Sequence, residues 1–298
     1  MAVRIGTNPI AWSNDDLRSL GGDTPLETCL AEAKQAGFSG IELGHKFPSD
    51  PAALKDVLDR HGLDLVSGWY SMALLERDVD AEWAAIQAHK NLLQALGSKV
   101  LIVAETSNAI HGDRRVPLSK RPTLSDTQWP VFTQRLGQLA KRLSDEGMQL
   151  VYHHHMGTVI ESGDDVHRMM QSTPDPVHLL LDTGHLTFAA ADPVAFARAY
   201  RRRISHVHTK DVRSSVFAHV KLRDMSFLDA VVEGVYTVPG DGMVDFAAVF
   251  AELPGYDGWV VVEAEQDPAK ANPLQYATLG YTNLTGFLRN ANLIASAI

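Results

Sequence analysis

Eight short apolar, β-branched runs alternate with longer stretches of helical period along this chain, and that alternation limits the fold more than any other feature. The strand-like runs are VRIGTNPIAW, GFSGIELG, LDLVSGWY, KVLIVAE, MQLVYH, VHLLLD, RISHVH and GWVVVEAE. Helical spacing appears in PAALKDVLDRHG, DAEWAAIQAHKNLLQALG and DTQWPVFTQRLGQLAKRLSDEG, and again near 162–172, 192–202, 245–252 and 273–290. The first helix is expected to open at Thr24, where TPLE has the form of a capping box with Pro in the first turn. Repeated strand–helix units point to crossover connections and a parallel sheet. Eight of them, in 298 residues without a linker or a break in composition, predict a single (β/α)8 barrel domain over residues 1–298. An open doubly wound sheet is the rival, but no G-x-G-x-x-G joins the first strand to the first helix. Neither a P-loop nor a G-x-S-x-G is present.

Charge and cysteine usage narrow the function classes. A net charge of −9 argues against a nucleic-acid partner, because phosphate affinity needs clustered Lys and Arg. The basic clusters are short: Arg201 to Arg203, and Arg114 with Arg115. One cysteine, Cys29, excludes an internal disulfide and a thiolate metal cage, and is expected to pack in the core. No apolar run reaches the roughly 18 residues of a membrane span, and the N-terminus lacks the form of a secretory signal. The expectation is a soluble cytoplasmic protein with no membrane partner.

In such a barrel the chemistry sits at the C-terminal ends of the strands. Polar residues gather there: Glu42 and His45 after strand two, Glu105 after strand four, His153 and His155 at strand five. Asp182 and His185 follow strand six, His206 and His208 strand seven, and Glu263 and Glu265 strand eight. Carboxylates converging in one ring would be costly to bury without a cation, and a divalent metal removes that cost. Strand alternation puts His153 and His155 on the inner face and turns His154 outward, to pack or bond outside the ring. By the same parity His206 pairs with His208, and Glu263 with Glu265. Nitrogen and oxygen ligands without thiolate suit Mn, Co, Fe, Ni or Zn.

Together, LLLDTGH, ISHVHTKD and VPGDGMVDF leading to GYDGWVVVEAE resemble the xylose-isomerase-like TIM barrels over nearly the whole chain. The segments GTNPIAWSNDD, YHHHMGT and EAEQDPAKANP resemble, more narrowly, the inosose dehydratase family of bacterial inositol breakdown. The resemblance implies a metal held by Asp182, His208 and Glu263, with Mn or Co as the ion. The usual strand-five Glu falls on His153, so either His153 takes its place or His155 contributes. It also implies removal of water from a polyhydroxylated cyclohexanone, 2-keto-myo-inositol, through an enediolate to a deoxy diketone.

For that chemistry Glu265 is the first candidate for the base, while Lys210, His155 and His185 compete for the acid and for substrate hydroxyls. Lys210 and Asp211 could instead form an ion pair fixing strand seven. Asn8 and Trp12 are expected to line the pocket, Trp12 stacking on an apolar ring face, and Glu42 and His45 are weaker candidates for substrate contact. The loops at 106–125 and 211–240 are long enough to act as lids. Barrels of this class often associate, so a homo-oligomer is an expected partner state, although no patch identifies an interface. The rival activities are a ketose epimerase or isomerase sharing the enediolate, a three-metal DNA-repair endonuclease, and a sugar-binding protein without turnover.

Overall fold

The computed structural model describes residues 3–295. Its elements run β1 (Arg4–Thr7), α1 (Leu26–Ala36), β2 (Gly40–Leu43), α2 (Pro51–His61), β3 (Asp64–Met72), α3 (Val79–Ala95), β4 (Val100–Glu105), α4 (Gln128–Asp145) and β5 (Gln149–His153). They continue with α5 (Gly163–Ser172), β6 (Val177–Asp182), α6 (Thr183–Phe188), α7 (Pro193–Tyr200), β7 (Ile204–Thr209), β8 (Asp211–Val212), α8 (Ser214–Arg223) and α9 (Phe227–Glu233). β9 (Tyr236–Thr237), α10 (Phe246–Ala251), β10 (Trp259–Val262) and α11 (Pro273–Asn290) complete the described chain. β1, β10, β7, β6, β5, β4, β3 and β2 close, in that order, into a parallel barrel. Among the described residues no helix is long and apolar enough to cross a membrane.

Strand alternation divides the apolar residues as a barrel requires. Val100, Ile102, Val151 and Leu180 form a cluster of their own, with Trp69 packed against it. Their alternates Leu101, Val103, Leu150, Tyr152, Leu179 and Leu181 join the larger core shared with the helices. Because Val151 belongs to the inner set, the same parity sends His153 inward, and Leu180 does the same for Asp182.

Helix starts are set locally. Asp50, Asp78 and Asn272 each accept a backbone N–H of the first turn of α2, α3 and α11, and Ser162 with Asp165 closes a full capping box on α5. The box expected at Thr24 does not form: α1 begins after Pro25 with no side-chain cap. Pro25 holds extended backbone at φ −64°, ψ 149°, and its carbonyl accepts the N–H groups of Thr28 and Cys29.

The stretch 211–240 departs furthest from expectation. It carries a two-stranded antiparallel sheet of β8 and β9 and, between them in the chain, the helices α8 and α9, whose apolar side chains make a separate cluster. Phe227, Leu228, Val231 and Tyr236 meet Leu118 and Met156 there, and Leu17 and Leu20 of the loop after β1 pack on the same cluster. This cap sits on its own small core. Asp211 folds its base by accepting the N–H groups of Val212, Gly240, Gly242 and Val244 at 2.8–2.9 Å, instead of pairing with Lys210.

Candidate metal and substrate site

The barrel register assembles the site. Asp182 lies beside His208 across β6–β7, and His208 beside Val261 across β7–β10, so Glu263, just past β10, reaches the same point. His153 Nε2 stands 3.4 Å from Asp182 Oδ2, and His208 Nδ1 stands 3.6 Å from the same oxygen and 2.9 Å from Glu263 Oε2. One ligand atom from each of the four lies within 4.8 Å of all the others. Ligands at about 2.0–2.2 Å from one ion are roughly 3–3.5 Å from each other, so these spacings match one coordination shell. Asp182 Oδ1 caps α6 through the His185 N–H (2.8 Å), whereas its Oδ2 is buried without a hydrogen-bond partner among the described residues. A buried carboxylate oxygen left bare in this way suits a cation.

Glu42 supports this group from behind. Its Oε1 accepts from Ser67 Oγ (2.6 Å), His206 Nε2 (2.8 Å) and His208 Nε2 (3.0 Å), and its Oε2 accepts from Asn8 Nδ2 (2.6 Å). A His208 Nε2–H given to Glu42 leaves the Nδ1 lone pair aimed at Asp182 and Glu263, the carboxylate–histidine arrangement found behind metal-binding imidazoles. Burial opposes charge on His208, yet Glu263 and Glu42 hold its pKa well above the ordinary value. Without a cation, the ring's own proton compensates the carboxylates, and a metal would displace it.

Beside this group lies a second, built around Lys210. Its Nζ donates to Glu265 Oε1 (2.6 Å), sits 3.0 Å from Glu263 Oε2 and 3.0 Å from His185 Nε2, and is fully buried. Gly184 makes room for the Lys210 stem: a Cβ there would lie 2.5 Å from its Cγ. Burial pushes Glu265 up to about 7; Lys210 pulls it down and Glu263 pushes it up. His185 stays neutral through burial and the nearby Lys210 charge, with Nδ1 accepting the Met156 N–H at 3.2 Å. His155 is likewise held neutral, by burial first and then by His111, and its Nδ1 lies 2.8 Å from the Met156 carbonyl.

The cleft above has a cavity volume of about 80 Å³ and is lined by Asn8, Glu42, Trp69, His153, His155, His208, Glu263 and Glu265, together with Asp16 and His111. Asp182, His185 and Lys210 sit directly behind this wall. Two expected residues are not brought into the cleft. Trp12 is buried with its indole N–H donated to Glu32 (2.6 Å), because its loop turns it down onto α1. His45 turns outward to Asp15 (2.5 Å) and joins Trp12 at a separate, shallower cleft. Trp69 offers the apolar face instead, edge-on to His153 at 5.4 Å. Its inward parity with Ser67 on β3 was the available signal. Glu105 faces its own loop, accepting from Ser107 and Leu75. His154 is turned away from the ring as parity requires, but it bonds to nothing: both ring nitrogens are buried without partners among the described residues, and burial lowers its pKa to about 3.

A barrel whose closed parallel sheet gathers a His–Asp–His–Glu group at one rim defines the class: the chain belongs to the xylose isomerase-like TIM barrel family, whose model matches residues 30–280. Within it, the chain is 51% identical to the rhizopine catabolism protein MocC of Rhizobium meliloti over 95% of this chain and 88% of that one. It is 44% identical to the inosose dehydratase of Geobacillus thermodenitrificans, over 92% of this chain and 94% of that one. The crystal structure of IOLI protein with a binding zinc atom shares the fold, with a TM-score of 0.64 at 14% identity over 99% of this chain and 100% of that one.

Proposed function

We propose that the buried His153–Asp182–His208–Glu263 group and the adjoining Lys210–Glu265 pair form the active site of a hydro-lyase. The protein is a dehydratase of inositol catabolism, removing water from 2-keto-myo-inositol to give a trihydroxycyclohexanedione, as its 44% identity to an inosose dehydratase over 92% of the chain supports. The observation that carries the site assignment is Asp182 Oδ2, buried between two imidazoles without a hydrogen-bond partner among the described residues, with the Lys210 ammonium 3.9 Å away. A divalent ion held by His153, Asp182, His208 and Glu263 would supply the Lewis acid for the ketone oxygen. Two imidazoles and two carboxylates without thiolate suit Mn, Co, Fe, Ni or Zn, and Mn or Co is the ion proposed.

The protein's own residues then divide the proton chemistry. Glu265, whose carboxyl burial pushes up to about 7, takes the proton from the carbon beside the ketone. Lys210 and His185 stand behind Glu265 and position it. His155, which lines the cleft, contacts a substrate hydroxyl, and Asn8 and Glu42 border the same wall. Trp69 covers one face of the ring.

The test is to strip the protein of metal, add 2-keto-myo-inositol, return Mn, Co and other divalent ions singly, and follow diketone absorbance in the ultraviolet. Diketone that appears only with a metal is the expected result. Loss of the proton beside the ketone without any diketone would move the assignment to a ketose epimerase or isomerase.

A further inference from the structure

Two polar side chains of the cleft wall come from loops and have no part in the scheme above. Asp16 follows β1, its turn held by Asn14 Oδ1 accepting the N–H groups of Asp16 (2.9 Å) and Leu17 (2.6 Å). His111 belongs to the loop after β4. Its backbone rests on Gly157, which has φ +76° and no room for a Cβ, since one would lie 2.9 Å from the His111 nitrogen. The Ile110 N–H donates to the Gly157 carbonyl at 2.8 Å. Both residues are therefore held in place.

Their spacing points to a ligand between them. His111 Nε2 and Asp16 Oδ1 are 3.8 Å apart, too far for a mutual hydrogen bond. A single hydroxyl oxygen could sit about 2.8 Å from each. His111 Nδ1 is buried without a hydrogen-bond partner among the described residues, and the ring lies edge-on to His155 at 5.1 Å, so the pair continues the wall of the cleft. Burial raises the Asp16 carboxyl, His111 opposes that, and Asp15 adds to it. Asp16 and His111 remain 31% and 16% exposed and can regain a proton from water. Lys210, fully buried and engaged with Glu265, has no such route.

Resting on the dehydration reading, we propose that Asp16 and His111 bracket the departing β-hydroxyl and supply its proton. Glu265 takes the α-proton and the enediolate forms. Its electron pair then makes the new C=C bond as the β C–O bond breaks, and the oxygen leaves with that bond's pair. The one proton carried by the Asp16–His111 pair converts it to water, and tautomerisation gives the diketone.

The experiment compares wild type with His111→Gln and Asp16→Asn, loaded with Mn, in D2O with 2-keto-myo-inositol. It measures diketone by absorbance and α-proton loss from remaining substrate by NMR. Diketone formation should fall about 100-fold or more in each variant while α-proton loss continues at the wild-type rate. An analogue with fluoride in place of the β-hydroxyl needs no acid, and both variants should eliminate fluoride as fast as wild type. Variants that lose exchange and elimination in proportion, or lose neither, would overturn the assignment alone. Wild-type protein inert towards the ketone in both assays would remove the dehydration reading and this proposal with it.

Discussion

The candidate site has two halves made in different ways. On one side, His153, Asp182, His208 and Glu263 stand on or just past four neighbouring strands, and main-chain register fixes their spacing. On the other, Asp16 and His111 ride on loops held by a separate apolar cap of Phe227, Leu228, Met156 and Leu118. A ring of strands has one way to place a side chain once its parity is set. A loop has many, and packing elsewhere selects among them.

That contrast can be tested by breaking each half. The largest effect is expected from Glu265→Gln, which removes the proposed base: diketone formation and α-proton exchange should both fall by about 10²–10⁴-fold, with metal affinity unchanged by calorimetry. Loss of metal as well would mean that Glu265 belongs to the metal group rather than beside it. Phe227→Ala should cost about 3–5 kcal/mol within the cap, read as faster hydrogen exchange across 211–237. Metal affinity should hold, and if it does not, the halves are not separable. Glu42→Gln weakens the group behind His208, and a loss of about 10–100-fold in metal affinity is expected with the fold intact.

The smallest effect concerns Glu161, beneath the cap. Its Oε2 accepts the Gly157 N–H at 2.6 Å, and burial pushes its pKa up to about 7 although Arg121 opposes that. A carboxyl whose folded pKa lies above the unfolded one binds its proton more tightly when folded. Stability is therefore present below pH 4.5 and falls as pH rises from there to about 7. Glu161→Gln should flatten that decline by an amount on the order of 1 kcal/mol, measured as urea unfolding at pH 5 and pH 8. An unchanged slope would show that Arg121 already keeps the carboxylate charged.

Much of the strand-borne half was legible in advance. Hydrophobic period located the strands, and strand parity separated His153 from His154. The run DTGH reads directly in the structure: Asp182 caps α6 and Gly184 admits Lys210. The loop-borne half was not legible. Asp16 sits in a polar stretch like many others, and His111 is a single histidine in a long loop, so no period marks either. Trp69 lines the cleft where Trp12 was expected, for the same reason. Trp69 obeys strand parity, whereas Trp12 follows a loop whose turn onto Glu32 depends on α1.

The sequence by itself determined the barrel, the rim on which the polar residues gather and which side chains of each strand face inward, because these follow from a two-residue period repeated eight times. Tertiary structure alone decided that Asp211 folds the base of the cap instead of pairing with Lys210, and that Glu42 stands behind His208. It alone brought Asp16 to within 3.8 Å of His111. Those contacts join residues far apart in the chain through packed loops, and local periodicity carries no information about such distances.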